Sequence, residues 1–357
     1  MNCKKLLVLA ASALLAFTAS GCDSKGGSEL GAEVKAIIAE AEKMDEADLY
    51  KKAMEEVNGK KFVVVANSSR MKDAAPAWME YCKTTFNNPN FAFTFESTQP
   101  KNNQIFAQIK GDVTSTNHNI SMTLIQDGSQ IKQKMTKPGY LLNYIPKEWA
   151  GNKEKDGEPL ALQSLSKVFC YNNSDPTKQY NNVWDYATEV STQFMAPSSE
   201  PVGQNFMYML TKSEYAAMVK EAYDALPTAR KEAIDATIAD KNAGIDAVYE
   251  DLGATDTNVK YSLAWIYNFL KNYTKVADDG PISNNLTQKS AGGSAGLLVY
   301  SKFRSITESE TVSNKVINVA AYQDGYKGFG GYMYKHYLQV LATSPLPWTS
   351  CALIHFM

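Results

Sequence analysis

Short continuous apolar runs alternate with longer periodic stretches along most of this chain, and that alternation predicts its elements. Lys61-Phe62-Val63-Val64-Val65-Ala66 is β-branched and aromatic almost throughout and closes on Asn67-Ser68-Ser69, the pattern of a strand buried on both faces. Before it, the acidic, alanine-rich stretch 33–57 sets Ala36, Ile37, Ala39, Ala41, Leu49 and Ala53 as the apolar positions of a helix. After it, 73–86 reads as helix, with Pro76 tolerated in the first turn, where a backbone N–H has no intrahelical partner to lose. Strands at 91–95 and 120–125 alternate with helices at 102–109 and 129–136, the last stopped by Pro138-Gly139. Three strand–helix units within about 80 residues predict an α/β fold built on a parallel, doubly wound sheet.

An irregular segment, 146–160, then leads to the strand Lys167-Val168-Phe169-Cys170-Tyr171, a crossing from one domain to another. Beyond it come Gln193-Phe194-Met195-Ala196 and helical segments near 212–226, 229–252 and 257–276. Val259, Leu263, Ile266, Leu270 and Tyr273 recur at helical spacing in the last of these, the stripe of a helix that faces a core. Strands resume at 296–301 and 315–321, a Gly- and Tyr-rich loop covers 322–332, and a strand at 333–341 precedes a helix that starts near Trp348. No internal repeat of period 20–50 is present.

The first 27 residues follow another pattern: Lys4 and Lys5, an apolar run from Leu6 to Phe17, then Ala19-Ser20-Gly21-Cys22 and Asp23-Ser24-Lys25-Gly26-Gly27. A basic start and so short an apolar run mark an export signal rather than a spanning helix, which needs roughly 20 apolar residues. Small residues before Cys22 suit cleavage at a lipidated cysteine, although Ala19 stands where Leu is commoner. An ordinary cleaved signal with a chance cysteine is the other reading. Both put the mature protein outside the cytoplasm. The first anchors it through Cys22 to the extracytoplasmic face of a bacterial membrane, on a polar tether at 23–34.

Composition narrows the class. Without residues 1–21, 34 basic residues face 38 acidic ones, a net charge of about −4 that argues against a nucleic-acid partner. A hydrophobic content of 44% with 21% charged residues describes a globular domain protein, and no second apolar stretch is long enough to cross a bilayer. Cys82, Cys170 and Cys351 form neither a disulfide framework nor a zinc pattern, and with only His118, His336 and His355 the sequence implies no metal and no cofactor.

In this order along the chain, several segments resemble the family 1 extracellular solute-binding proteins of bacterial ABC transporters. They are the strand and loop 61–70, Met122 to Gly128 as a strand and acidic turn, Ser166 to Asn173 as a crossover strand, Asn182-Val183-Trp184-Asp185 as the Thr-Trp-Asp turn, and Ser344-Pro345-Leu346-Pro347 as the entry to a late helix. The resemblance covers most of residues 45–357. It implies the two-lobed type II periplasmic-binding-protein fold, each lobe a doubly wound sheet flanked by helices, with a hinge between lobes. It divides the chain into a signal peptide (1–21), tether and N-terminal helix (22–44), lobe I (45–167), lobe II (168–321) and a return to lobe I (322–357). It also implies a small-molecule solute and an ABC permease as partners, and no catalysis. Two departures stand out. Asn117-His118-Asn119 replaces the family's Pro-Asp pair, and the chain stops at Met357 inside a helix that in the family leads to further helices. The sequence therefore looks C-terminally truncated, with apolar surface expected to be uncovered around Leu353, Ile354 and Phe356; a shorter family member is the alternative.

Ligands of open α/β sheets sit beyond the carboxyl ends of the strands. The residues expected there are Asn67, Ser68, Ser69 and Arg70, then Gln99, then Gln126, Asp127 and Ser129, and in the second lobe Ser198 and Ser199. Arg70 would supply a forked donor for a carboxylate or phosphate, and the amides and hydroxyls would replace a solute's water. The same residue types also suit turns and helix caps. Tyr322 and Tyr326, in a loop crowded with tyrosine, could stack on a sugar ring or pack a core; the adjacent tyrosine pair of the fold's iron binders is missing. Ser69-Arg70-Met71-Lys72 matches the Ser-x-x-Lys of serine hydrolases, without a following Lys-Thr-Gly or Ser-Asp-Asn. A lipid-anchored hydrolase is thus one alternative to a solute-binding protein, and a surface adhesin on the same fold is another. Sugars, polyamines, anions and iron all remain open as the solute.

The leader reading is checked by Cys22→Ala. Two or more acyl chains hold a protein firmly to a bilayer, so a variant that is exported and cut is expected in the soluble fraction; its retention on washed membranes would refute lipidation at Cys22.

Overall fold

The computed structural model describes residues 29–100, 104–152, 157–197, 201–305 and 316–357; the leader, Cys22, Ser198 and Ser199 lie outside the described residues. The chain divides into two units, Leu165–Met333 and the remainder, 29–164 with Tyr334–Met357. It passes from one to the other twice, within strand β5 (Ala161–Asn172) and within strand β10 (Gly331–Leu341).

The first unit begins with helices α1 (Ala32–Ala41) and α2 (Glu46–Val57). Strand β1 (Lys61–Ala66), helix α3 (Met71–Thr85), strand β2 (Thr94–Thr98), helix α4 (Gln104–Val113) and strand β3 (Ile120–Gln126) follow in alternation. A short helix α5 (Gly128–Ile131) runs into a π turn at Lys132–Thr136, and β4 (Leu141–Leu142) precedes the long β5. β1 lies parallel to β2, Lys61 opposite Thr94, and parallel to β3, Ala66 opposite Leu124. On the other side of β3 lies β10, antiparallel, with His336 opposite Gln126 and Val340 opposite Met122. The order in this part of the sheet is β2-β1-β3-β10-β5, with β4 on β10.

Its core forms around Trp78, Tyr50, Phe62 and Phe91, all buried, with Tyr50 meeting Trp78 edge-on at 5.9 Å. Helix α13 (Pro347–Phe356) closes this core against α1, α2 and α3. Leu353 and Ile354 are therefore covered, while Phe356, the third residue expected at an uncovered surface, is half-buried. Each such buried aliphatic side chain stabilises the packing by about 1.5–3 kcal/mol. The start of α13 is held by Glu56, whose carboxylate accepts from the Trp348 N–H (3.2 Å), the Thr349 N–H (2.7 Å) and the Thr349 hydroxyl (2.6 Å).

The second unit carries α6 (Asp185–Thr188), β6 (Gln193–Met195), α7 (Pro201–Leu210), α8 (Ser213–Asp224), α9 (Thr228–Ala239), α10 (Ile245–Asp251) and α11 (Val259–Asn272). It continues through β7 (Thr274–Val276), α12 (Asp279–Leu286), β8 (Ala295–Val299) and β9 (Ile317–Val319). Its sheet order is β5-β8-β6-β7, with β9 on β5; β8 and β9 run antiparallel to β5, and β6 parallel to β7 and β8. Phe169, Phe206, Trp265 and Phe269 fill the interior, Trp265 stacking on Phe269 at 4.8 Å. The segment Asn182-Val183-Trp184-Asp185 is a buried structural turn. The Asn182 side chain donates to the Ala222 carbonyl (2.8 Å) and accepts from the Trp184 N–H (2.9 Å), while Asp185 pairs with Arg230 (2.7 Å).

Several expectations shift. The helix read at 33–57 breaks between Ala41 and Glu46, and α11 gives way to β7 within 257–276. The helix read at 229–252 breaks at Gly244, whose φ of 72° only glycine adopts cheaply. α3 starts at Met71, so Pro76 sits in its second turn rather than its first, and it is exposed there. β2 starts at Thr94 because Phe91 and Phe93 turn onto Trp78 instead, at 5.9 and 5.8 Å.

Gly331 opens β10 at φ 153°, where a Cβ would lie 2.0 Å from the Lys167 carbonyl oxygen. Both partners are backbone, so neither can swing away. Gly331→Ala is expected to cost about 3 kcal/mol or more, read as a Tm lowered by roughly 6 °C or more. An unchanged Tm would show that the strand slides without penalty.

Candidate functional site

Three loops of the first unit converge where β1, β2 and β3 end. Asn67 begins the first, and its N–H donates to the Leu124 carbonyl at 3.1 Å, tying the loop to β3. Gln99, from the loop after β2, donates its amide to the Ser68 carbonyl at 3.2 Å. Ser68 is buried, and its hydroxyl accepts from the Arg70 N–H at 3.4 Å, whereas Ser69 and Arg70 are exposed. No side chain caps α3, so its first turn rests on backbone bonds, among them Lys72 N–H to the Ser69 carbonyl at 3.1 Å. Asn67 Oδ1, Ser97 Oγ and Thr98 Oγ1 are buried at this edge without a hydrogen-bond partner. Orphaned polar atoms of that kind cost about 1–3 kcal/mol each and call for an explanation in function or strain.

The third loop follows β3. Asp127 adopts φ 77°, and its carboxylate caps α5 by accepting from the Gln130 N–H at 3.1 Å. The acidic residue expected to reach a ligand is thus engaged in shaping its own turn. Gln126 is buried, and Ser129 is exposed in the first turn of α5.

A further residue lies here that the sequence reading left out. His336 is opposite Gln126 in the β3–β10 register, and it is buried, with the Tyr334 ring edge-on at 5.8 Å. The Gln163 amide donates to its Nδ1 at 2.8 Å, which leaves the ring proton on Nε2. Burial first, and the Arg70 charge second, lower its pKa from 6.5 to about 4. Only the strand register brings a histidine so late in the chain to this edge; nothing local in the sequence marks it.

In the second unit, Ser198 and Ser199 lie outside the described residues, beyond the end of β6. Next to that end, Lys167 and Asp279 form a buried ion pair at 3.3 Å, with the lysine ammonium also 3.7 Å from Met195 Sδ and over the Phe194 ring. Tyr322 is 71% exposed and meets Tyr300 edge-on at 6.1 Å, so its ring is open to solvent. Tyr326 instead folds back, its hydroxyl donating to the Phe329 carbonyl at 3.2 Å. The structure thus brings the eight first-unit candidates to one sheet edge and separates the two tyrosines in role. Ser69 and Lys72, the two fixed positions of the hydrolase motif, are both exposed at the helix entrance. Among the described residues no cluster of His, Cys, Asp and Glu could hold a metal ion, and no helix is long and apolar enough to cross a membrane.

No family model matches this sequence, and no curated protein matches it. Among solved structures, the chain is similar to the substrate-binding protein of an ABC transporter from Agrobacterium tumefaciens, at 12% identity and TM-score 0.49, over 84% of this chain and 74% of that one. It is also similar to a Trichodesmium protein in complex with iron and citrate, at 11% identity and TM-score 0.47, over 83% and 80% of the two chains. A third likeness is to the sulfate-binding protein SubI from Mycobacterium tuberculosis, at 10% identity and TM-score 0.46, over 83% and 81%.

The depressed pKa of His336 has a pH signature. Below pH 6.5 the unfolded chain takes up a proton that the folded chain refuses until about pH 4, so this group's effect is absent above 6.5 and grows as the pH falls between those values. At pH 5 it should destabilise the protein by about 2 kcal/mol. His336→Gln is expected to lose less stability than the parent between pH 7 and pH 5 in denaturant titrations. Equal losses would mean that the histidine is not held neutral.

Proposed function

We propose that this chain is the solute-binding protein of an ABC transporter, taking up a small polar or anionic solute on the loops that follow β1, β2 and β3 and delivering it to a membrane permease. The observation that carries the reading is the convergence of those loops. They gather hydroxyls, amides, three orphaned polar atoms and the exposed guanidinium of Arg70 at the carboxyl edge of one sheet, where open α/β sheets place ligands. Asn67, Ser68, Ser69, Arg70, Gln99 and Gln126 act as the contact residues, with Asp127 and Ser129 shaping the third loop. Within the second unit, the exposed ring of Tyr322 suits stacking on a solute better than the folded-back Tyr326. The reading includes no step that makes or breaks a bond of the solute: Ser69 and Lys72 are both exposed at the start of α3, and neither Lys-Thr-Gly nor Ser-Asp-Asn follows in the sequence. Lipidation of Cys22 would keep the protein on the extracytoplasmic face of the membrane, within reach of the permease.

A thermal-shift screen with sulfate, citrate, neutral sugars and polyamines tests the class, followed by calorimetry on any solute that raises Tm. A charge-assisted bond to a bound anion is worth roughly 1.5–3 kcal/mol, so Arg70→Ala is expected to weaken binding about 10- to 150-fold at unchanged Tm. No response to any solute, or unchanged affinity in the variant, would overturn the reading.

A further inference from the structure

We infer that the second unit carries a separate site for a neutral polyhydroxylated molecule of about one sugar ring, in a crevice walled by Tyr171, Asn173, Asn181, Asn318, Gln323 and Asp324. The crevice encloses about 350 Å³, near the lower limit of small-molecule pockets. Its place in the sheet sets it apart from the strand ends considered above. β8 runs antiparallel to β5, with Tyr171 opposite Ala295 and Lys167 opposite Val299. Tyr171 therefore stands beside the start of β8, and the carboxyl ends of β8 and β6 lie toward the other edge of the unit.

The chemistry of the wall favours hydroxyls. Gln323 has both its amide nitrogen and its amide oxygen buried without a hydrogen-bond partner, a donor and an acceptor side by side. Its backbone is held in the turn, N–H to the Ala320 carbonyl at 3.1 Å, with the Tyr326 N–H on its own carbonyl at 3.3 Å. Beside it, Asn173 donates to Asn318 Oδ1 at 2.9 Å, and Asn318 donates to the Tyr171 hydroxyl at 2.9 Å. That relay fixes the direction of each amide and leaves the tyrosine O–H proton to be donated onward. A wall that offers donors and acceptors in pairs suits a group that is both, which is what a hydroxyl is. Asp324 and Lys178 line the same wall with opposite charges, so together they favour no ion of one sign, and the Asp175 carboxylate is already taken by the Thr177 N–H (2.9 Å) and hydroxyl (2.7 Å).

The test uses the mature protein with glucose, galactose, mannose, N-acetylglucosamine and myo-inositol as probes, read by saturation-transfer NMR and calorimetry. At least one is expected to bind, with Gln323→Leu weakening it tenfold or more and Arg70→Ala leaving it unchanged. Without sugar, Gln323→Leu is expected to melt at or above the parent's temperature, since it removes a buried amide that has no partner. Four results would overturn the site: none of the five sugars binds, binding survives Gln323→Leu, binding is lost in Arg70→Ala and so belongs to the loops after β1 to β3, or Gln323→Leu melts lower and the amide is structural.

Discussion

The antiparallel pairing of β10 with β3 is the constraint on which the first unit depends. β3 has β1 on one side and needs a partner on the other, and that partner is supplied by the far end of the chain. Leu338 and Val340 enter the core beside Leu124 and Met122, and the chain then runs into α13, which covers α1 and α2. Closing a loop that contains the whole second unit is less costly than its length suggests, because each doubling of a loop adds only about 0.6 kcal/mol. The second unit, by contrast, is one continuous stretch of chain with its own aromatic interior. Its contacts are available before the first unit's are complete.

Some buried polar groups are fully engaged and others are not. Glu56 takes three hydrogen bonds at the start of α13, and Asn182 and Asp185 between them secure α6, the end of α8 and Arg230. The Lys167–Asp279 pair belongs to this group. A buried ion pair adds little net stability against its desolvation, but removing one partner is costly, so it pins β5 against the start of α12 more than it strengthens the fold. At the ends of β1 and β2, Asn67, Ser97 and Thr98 keep polar atoms enclosed and unbonded, as Ser121, Thr123 and Gln339 do along β3 and β10.

Continuous apolar runs were the legible part of the sequence. The run 61–66 is β1 to the residue, and 120–125 falls one residue short of β3; shortness, β-branched residues and the polar residues that close each run mark them as strands where periodicity alone would not. Helices were legible in place but not in extent, since their breaks depend on single residues such as Gly244 and on short polar turns such as 42–45. α7 and α12 were not read at all. α12 is Asp-Gly-Pro-Ile-Ser-Asn-Asn-Leu, poor in helix formers, and it stands on the Asp278 cap and on packing of Ile282 and Leu286. Of the site, the loops after β1, β2 and β3 were visible because polar residues follow buried strands. His336, Gln163 and the Lys167–Asp279 pair were not, because each depends on a register or crossing between segments far apart in sequence.

Arg70 and His336 together define what kind of charge the first unit's edge presents. Two causes keep the histidine neutral, and their order matters: burial is the larger and the guanidinium the smaller. An anion seated on Arg70 would cancel much of the smaller cause and leave the larger in place, so the ring would still be neutral near pH 7. The Arg70 charge would then face a neutral His336 in both the free and the occupied state, with the Asp127 carboxylate on the same edge and Lys72 exposed in the first turn of α3. An anion seated there would thus bind without proton uptake by His336 at neutral pH.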